Sequence, residues 1–318
     1  MRLSVVATLF RSAPYLRDFY RRASAAARGF AGDDYEIVLV NDGSPDDSLT
    51  IALQLQAGDR HVRVVDLSRN FGHHQAMWIG LQHARGESVF LLDSDLEEAP
   101  EWLEALEAKQ RETKADVVFG AQDTRGGSWL NRFAGAAFYR LFNVLTTTPI
   151  PENLMTIRLM SRRYVDALLQ HQESTFVIAG LWARTGFSQV PVTFSKGCKP
   201  TTSYSLTSRI KLLVNCVTAF SEVPLFLVFY LGLALLASSS LVAGVLVVRW
   251  LFFGKMLDGW PSLMVSIWFL GGLCIFCQGI LGIYLARVFQ ETKRRPVAIV
   301  RQVYESEGAE IVPLRIAQ

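Results

Sequence analysis

The sequence predicts an α/β fold: a mostly parallel, Rossmann-like sheet flanked by helices, followed by an interfacial helix and two membrane-spanning helices. Three observations predict it. Short apolar runs alternate with helix-period segments as far as Ala121, the pattern of a parallel sheet covered on both faces. Two uncharged apolar stretches, Val223 to Val248 and Leu263 to Leu285, are each long enough to cross a hydrocarbon core of about 30 Å. Between these halves, "SYSLTSRIKLLVNCVTAFS" (203–221) has the apolar spacing and basic face of a helix lying on a membrane surface.

The elements follow in order. Leu3 to Leu9 reads as a strand, and Pro14 to Arg28 as a helix with a basic face. Strands at Tyr35–Asn41, Val62–Leu67, Ser88–Leu92 and Asp116–Ala121 alternate with helices at Asp46–Ala57, His74–Ala84 and Pro100–Thr113. Pro100 suits a first helical turn, where its missing N–H costs nothing. Beyond Gly126 the pattern loosens into an amphipathic helix (128–146), a short strand feeding a helix (151–169) and a late strand (187–194). No internal repeat is found, and the chain ends in a polar tail after Pro296.

Composition narrows the function classes. The 318 residues are 50% hydrophobic, enough for a globular domain plus membrane segments. The net charge of +3 is spread through the soluble part and gathers only at the membrane flanks, which gives no reason to expect a nucleic-acid partner. Cys274 and Cys277 form a CxxC spacing inside an apolar span, where they read as small apolar residues and not as a metal or redox pair. Arg209 and Lys211 precede the first span, and Arg287, Lys293, Arg294, Arg295 and Arg301 follow the second. The connector carries only Arg249 and Lys255, so both termini are expected on the cytoplasmic side. "MRLSVVATLF" lacks a small-residue cleavage site and reads as a strand, not a signal peptide.

Two acidic clusters sit where strands end. In "VNDGSPDDS", Asn41 and Asp42 close a strand, Gly43 and Pro45 make a turn, and Asp46 is placed to cap the next helix. In "VFLLDSDLEEAPEW", Asp93 and Asp95 leave the C-terminal end of a buried strand, the edge at which open α/β sheets bind ligands. Two carboxylates two residues apart can share one hard cation and leave positions open for phosphate. A departing diphosphate needs such neutralisation. A lone D-x-D is common by chance; this one gains weight from its strand and from the two spans downstream.

Together with "VDLSRNFGHHQAMWIGLQHARGESVFLLDSDLEEAPEWL", "IRLMSRRYVDAL" and "FLGGLCIFCQGILGIYLARVFQETKRRP", these motifs resemble family 2 glycosyltransferases of the polyprenyl-phosphate type, over nearly the whole chain. That group includes dolichol-phosphate mannosyltransferases and bactoprenol glucosyltransferases. The resemblance implies a GT-A catalytic domain at 1–203, an interfacial helix at 204–222, a membrane domain at 223–289 and a cytoplasmic tail at 290–318. It implies a multi-pass enzyme of the bacterial inner membrane that moves a sugar, with inversion, from a nucleotide diphosphate donor, UDP-linked, to polyprenyl (undecaprenyl) phosphate for envelope glycans such as O-antigen and lipopolysaccharide.

By the same resemblance, Asp42 and Asp93 would bind the nucleotide sugar, and Asp93, Asp95 and Glu97 would hold Mg²⁺ or Mn²⁺. Asp95 and Arg158 would act in catalysis, with Arg158 facing the phosphates as a bidentate fork. Lys196, Lys199 and Arg209 would meet the lipid phosphate. The chain departs from the family pattern in three places. Arg11 and Ser12 stand where relatives carry an acidic contact, Thr156 stands at a family aspartate, and Ser203 replaces a lysine. Losing a carboxylate base is tolerable for a phosphate acceptor, already anionic at neutral pH, and costly for a hydroxyl acceptor. A hydroxyl-acceptor transferase and a non-catalytic membrane scaffold are the rival readings. His73 and His74 read as helix-start or pocket-lining residues, Arg162 and Arg163 as a basic patch, and Trp78 and Trp102 as packing. The small residues of "FLGGL" and "QGILG" permit close helix contact and homo-oligomers.

Overall fold

The structure is a computed structural model that describes residues 1–122, 154–171, 173, 176, 178–194, 223–253 and 259–305. The helices expected at 128–146 and 203–221 lie outside the described residues, as do Lys196, Lys199 and Arg209. The chain divides into two compact units, one built on the sheet and one holding the two long helices.

In the first unit, β1 (Leu3–Leu9), β2 (Tyr35–Asn41), β3 (Val62–Leu67), β4 (Ser88–Asp93) and β5 (Val117–Gln122) alternate with α1 (Leu16–Ala31), α2 (Ser48–Gly58), α3 (His73–His83) and α4 (Trp102–Thr113). Then come β6 (Leu154–Ser161), α5 (Arg162–Leu168), α6 (Ile178–Arg184) and β7 (Gln189–Phe194). Among the described residues one sheet runs β7-β5-β6-β4-β1-β2-β3-β8, β8 being Val300–Tyr304. Its centre, β4-β1-β2-β3, is parallel, while β6 runs antiparallel to both β4 and β5. This is the expected GT-A-like α/β arrangement.

Strand alternation sorts the core into two layers. Leu3, Val5, Ala7 and Leu9 of β1 face α1 and α4, where Leu16, Phe19, Ala23 and Ala27 recur at helical spacing. Val6, Val38 and Val40 face α3, where Ala76 to Leu81 are buried. Gly80 lets α3 come close, because a Cβ there would stand 2.4 Å from Val6 and 3.0 Å from Val40. Trp78 packs against Phe176, and Trp102 stacks on Phe194 at 4.2 Å between ring centroids.

Local hydrogen bonding shifts two helix starts from their expected positions. Tyr15 and Leu16 both donate to the Ser12 carbonyl, which puts Pro14 in a turn before α1. Asp46 accepts the Ser48 amide from two residues upstream, so α2 opens at Ser48. The polar tail needs a larger correction. Val300 to Tyr304 form β8, antiparallel to β3, because Ala298, Val300 and Val303 bring apolar surface back to the second core layer.

The second unit holds α7 (Val223–Phe253) and α8 (Trp260–Thr292). Among the described residues, the stretch Ser266–Thr292 is long and apolar enough to cross a membrane, and none of it is buried. Leu225–Leu235 within α7 is a shorter apolar stretch, so one of the two expected spans is met on this measure.

Candidate active site

The C-terminal ends of β1, β2, β3 and β4 form one edge, and the loops leaving them are stitched together by buried polar side chains. Asp42 follows β2 and is only 2% exposed. Its carboxylate accepts the Phe71 amide at 2.7 Å and the Gly72 amide at 3.0 Å, and its carbonyl accepts Asn70 Nδ2 at 3.2 Å. Burial raises the Asp42 pKa and outweighs the opposing pull of those two amides and of His73 and Arg69. The residue expected to touch the nucleotide also holds the 68–72 loop. Gly43 is the reason this loop can lie so close. Its φ is +57°, and a Cβ would stand 2.4 Å from the Asn70 nitrogen and 2.5 Å from the Arg69 carbonyl carbon.

Asp46 joins the loops after β1 and β2. It accepts Ser44 Oγ at 2.6 Å, Ser48 Oγ at 2.5 Å, and the amides of Ser48 and Ala13 at 3.1 Å each. Burial alone would raise its pKa, but these four bonds outweigh it and bring the carboxyl to about 2. Arg11, exposed with φ +56°, donates its amide to Ser44 Oγ at 2.7 Å, and Ser12 donates its own to Ser48 Oγ at 3.0 Å.

The acidic motif is organised by the serine at its centre. Ser94 turns inward, donating to the Thr8 carbonyl at 2.7 Å and sharing a 2.9 Å bond with Ser12 Oγ. That leaves Asp93 and Asp95 flanking a buried anchor, both partly exposed at the edge. His73 Nε2 lies 3.2 Å from Asp93 Oδ1, and His73 Nδ1 lies 3.1 Å from Thr8 Oγ1. Asp95 Oδ1 accepts the Glu97 amide at 3.0 Å across Leu96, whose φ is +62°. His74 beside this pair is driven down to about 4, first by burial and then by the charge of His73.

Glu97 and Glu98 diverge. Glu97 stays partly exposed, whereas Glu98 is 1% exposed and accepts the Thr156 amide at 3.0 Å. The loop is thus tied to β6 at the position where a family aspartate would stand. Among the described residues no group of three or more His, Cys, Asp or Glu is placed to hold a metal. Asp93 and Asp95 offer two hard oxygen donors, a set that suits a divalent ion completing its shell with water and phosphate oxygens, as Mg²⁺ does.

Arg158 needs a correction. It is 0% exposed and does not face the edge, because alternation along β6 turns it into the second core layer. There it lies 3.0 Å over the Trp182 ring and donates to the carbonyls of Thr156 and Met155 at 3.2 Å each. Burial lowers its pKa to about 9, against the opposing influence of Tyr164 and Glu98. Arg162 Nε donates to the Gly86 carbonyl at 2.9 Å, and Arg163 pairs with Asp116 while its side chain stays 70% exposed.

Sequence reading missed Ser94, Glu98 and the contact of His73 with Asp93. The available signal was topological: "GHHQ" follows the third parallel strand, so it belongs at the same edge as "DSD".

Comparison with known proteins agrees with this geometry. The family described as glycosyl transferase family 2 matches residues 4–169. A Mycobacterium tuberculosis protein described among glycosyltransferases is 50% identical over 307 residues, 96% of this chain and 90% of its own. The bactoprenol glucosyl transferase of Shigella phage SfV is 31% identical over 304 residues, 95% of this chain and 98% of its own. The prophage bactoprenol glucosyl transferase homolog of Escherichia coli K12 is 30% identical over 306 residues, 95% and 99%. Among solved structures, Staphylococcus aureus TarS 1–349 in complex with UDP-GlcNAc aligns at 18% identity and TM-score 0.44, covering 69% of this chain and 66% of that one. With its acidic edge and its end-to-end relatives, this chain belongs to glycosyl transferase family 2 and is a glycosyltransferase similar to the polyprenyl-phosphate members of that family.

Proposed function

We propose that this enzyme transfers a sugar from a nucleotide diphosphate donor to polyprenyl phosphate at a bacterial inner membrane, held there by two spans in α7 and α8. The observation that carries the chemistry is the pair Asp93 and Asp95, held at the sheet edge on either side of the inward-turned Ser94. The acceptor is supported by the end-to-end likeness to proteins named bactoprenol glucosyl transferase.

In this reading the donor lies across the ends of β1, β2 and β4, with its diphosphate toward Asp93 and Asp95. Those two carboxylates would hold Mg²⁺ or Mn²⁺, which supplies positive charge for the departing nucleotide diphosphate, with Glu97 reaching the ion only if the loop rearranges on binding. Asp42, whose carboxylate also fixes the 68–72 loop that walls the site, is the proposed contact to the nucleotide base and ribose. His73 braces Asp93 from Thr8, so the carboxylate keeps one orientation. The acceptor phosphate is its own anionic nucleophile, displacing the nucleotide in line with inversion and needing no carboxylate at Thr156. Lys196, Lys199 and Arg209 are its proposed contacts.

The test is transfer of label from a panel of radiolabelled nucleotide sugars to undecaprenyl phosphate by purified protein in detergent, with and without Mn²⁺. Metal-dependent label in an acid-labile lipid, lost in Asp95→Ala, is the expected outcome. Label appearing only with lipid-linked glycans would replace this acceptor with a hydroxyl.

A further inference from the structure

We propose that Arg301, on the strand that returns from the membrane helices, is a positioning residue for the donor site, holding the 68–72 loop and the "VNDGS" turn from below. The inference rests on the reading of the acidic edge as the donor site. It begins with an irregularity in the sheet. Asp66 pairs with Gln302 and Leu67 with Val300, so Arg301 is the extra residue of a β-bulge and has no partner across β3. A bulge re-aims the side chain it carries. Here it breaks alternation, leaving Arg301 and Gln302 both exposed in succession.

The re-aimed guanidinium makes two bonds that ordinary alternation would not permit. Nη1 donates to Asp66 Oδ2 at 3.1 Å, and Nη2 donates to the Ser68 carbonyl at 2.7 Å. Ser68 in turn donates its amide to the Ile299 carbonyl at 2.9 Å, so the chain on either side of the bulge grips one residue. Asp66 is 1% exposed, and a buried carboxylate needs a partner. Among the described residues Arg301 is the cation paired with it. The other Asp66 oxygen accepts Asn41 Nδ2 at 2.7 Å, and Asn41 Oδ1 accepts the Ser44 amide at 3.3 Å.

Two branches therefore leave Arg301. One runs through Asp66 and Asn41 to the turn after β2. The other runs through Ser68 to the loop whose far end is held by Asp42 and leads into His73. A fork with fixed geometry suits a residue that must serve both branches at once better than the single ammonium of a lysine does.

The test uses the full-length protein in detergent, comparing Arg301→Ala and Arg301→Lys with Glu305→Gln. Glu305 is the control because it anchors the same strand at its other end, on Arg63 and Arg85, away from the loop. Two readouts are taken: amide exchange of peptides covering 68–72, and donor KM and kcat. Arg301→Ala is expected to raise donor KM about 5- to 20-fold with kcat changed less than about 3-fold, and to speed exchange at 68–72. Arg301→Lys should recover part of both, and Glu305→Gln should leave donor KM within about twofold. Equal effects from Arg301→Ala and Glu305→Gln, or a donor KM within twofold of wild type in Arg301→Ala, would overturn the proposal. If wild type transfers no sugar, the donor-site reading fails; unchanged exchange at 68–72 in Arg301→Ala would separately refute the hold on the loop.

Discussion

Asp46 gives the most direct check on the idea that the loops of the acidic edge are held by charge-assisted hydrogen bonds. Its carboxyl is brought from the ordinary 3.8 to about 2 by four donors that outweigh burial. A group whose folded pKa lies below its unfolded one binds more protons when unfolded, so its stabilising share is complete above about pH 4 and is lost as the pH falls toward 2. A fall from 3.8 to about 2 corresponds to roughly 2 kcal/mol. Solvent screening of a partly exposed side chain brings this to about 1–2 kcal/mol.

Asp46→Asn imitates the protonated state. The amide oxygen can keep the serine donors, but the amide nitrogen then faces the Ala13 N–H, losing one bond and all of the charge assistance. At pH 6.5 the variant should melt about 2–8 °C below wild type, using about 2–4 °C per kcal/mol for a domain of this size. Thermal melting followed by tryptophan fluorescence at several pH values between 6.5 and 2.5 should then show the two proteins converging as Asp46 in the wild type takes up its proton. A gap of constant size across that range would refute the argument, because it would mean that the variant lost packing and not charge.

Three further outcomes follow from the same geometry. Gly43→Ala combines a left-handed φ with contacts of 2.4 and 2.5 Å to loop backbone; a strain cost of about 1–3 kcal/mol and a donor KM raised at least about tenfold are expected in steady-state kinetics. Arg158→Met leaves the Thr156 and Met155 carbonyls without their donor and should destabilise by about 1–3 kcal/mol, measured as a lower melting temperature. Mn²⁺ should raise the melting temperature of wild type and lose that effect in Asp93→Asn and Asp95→Asn, measured without substrate so that binding is separated from turnover.

The fold was legible because its signals are local. β1 to β5 are apolar runs buried on both faces, and α1 to α4 lie between them in the strict alternation that dictates a parallel sheet. The acidic edge was legible for the same reason: a carboxylate that follows a buried strand by one residue can only emerge at that strand's end. What the sequence concealed depends on direction and on distance along the chain. Arg158 looks like a phosphate ligand in "IRLM", yet the parity of its position on β6 sends it into the core, where Trp182 and two carbonyls receive it. Glu97 and Glu98 are alike in the sequence, but one turn of the loop exposes the first and buries the second against Thr156.

Arg301 is the sharper case. Read as one more cation at a membrane flank, it instead meets Asp66, 235 residues away, and does so through a bulge that nothing in "VRQVY" announces. Register and bulges are set by pairing partners. A residue whose role is decided by its neighbour across the sheet therefore cannot be assigned from its neighbours along the chain.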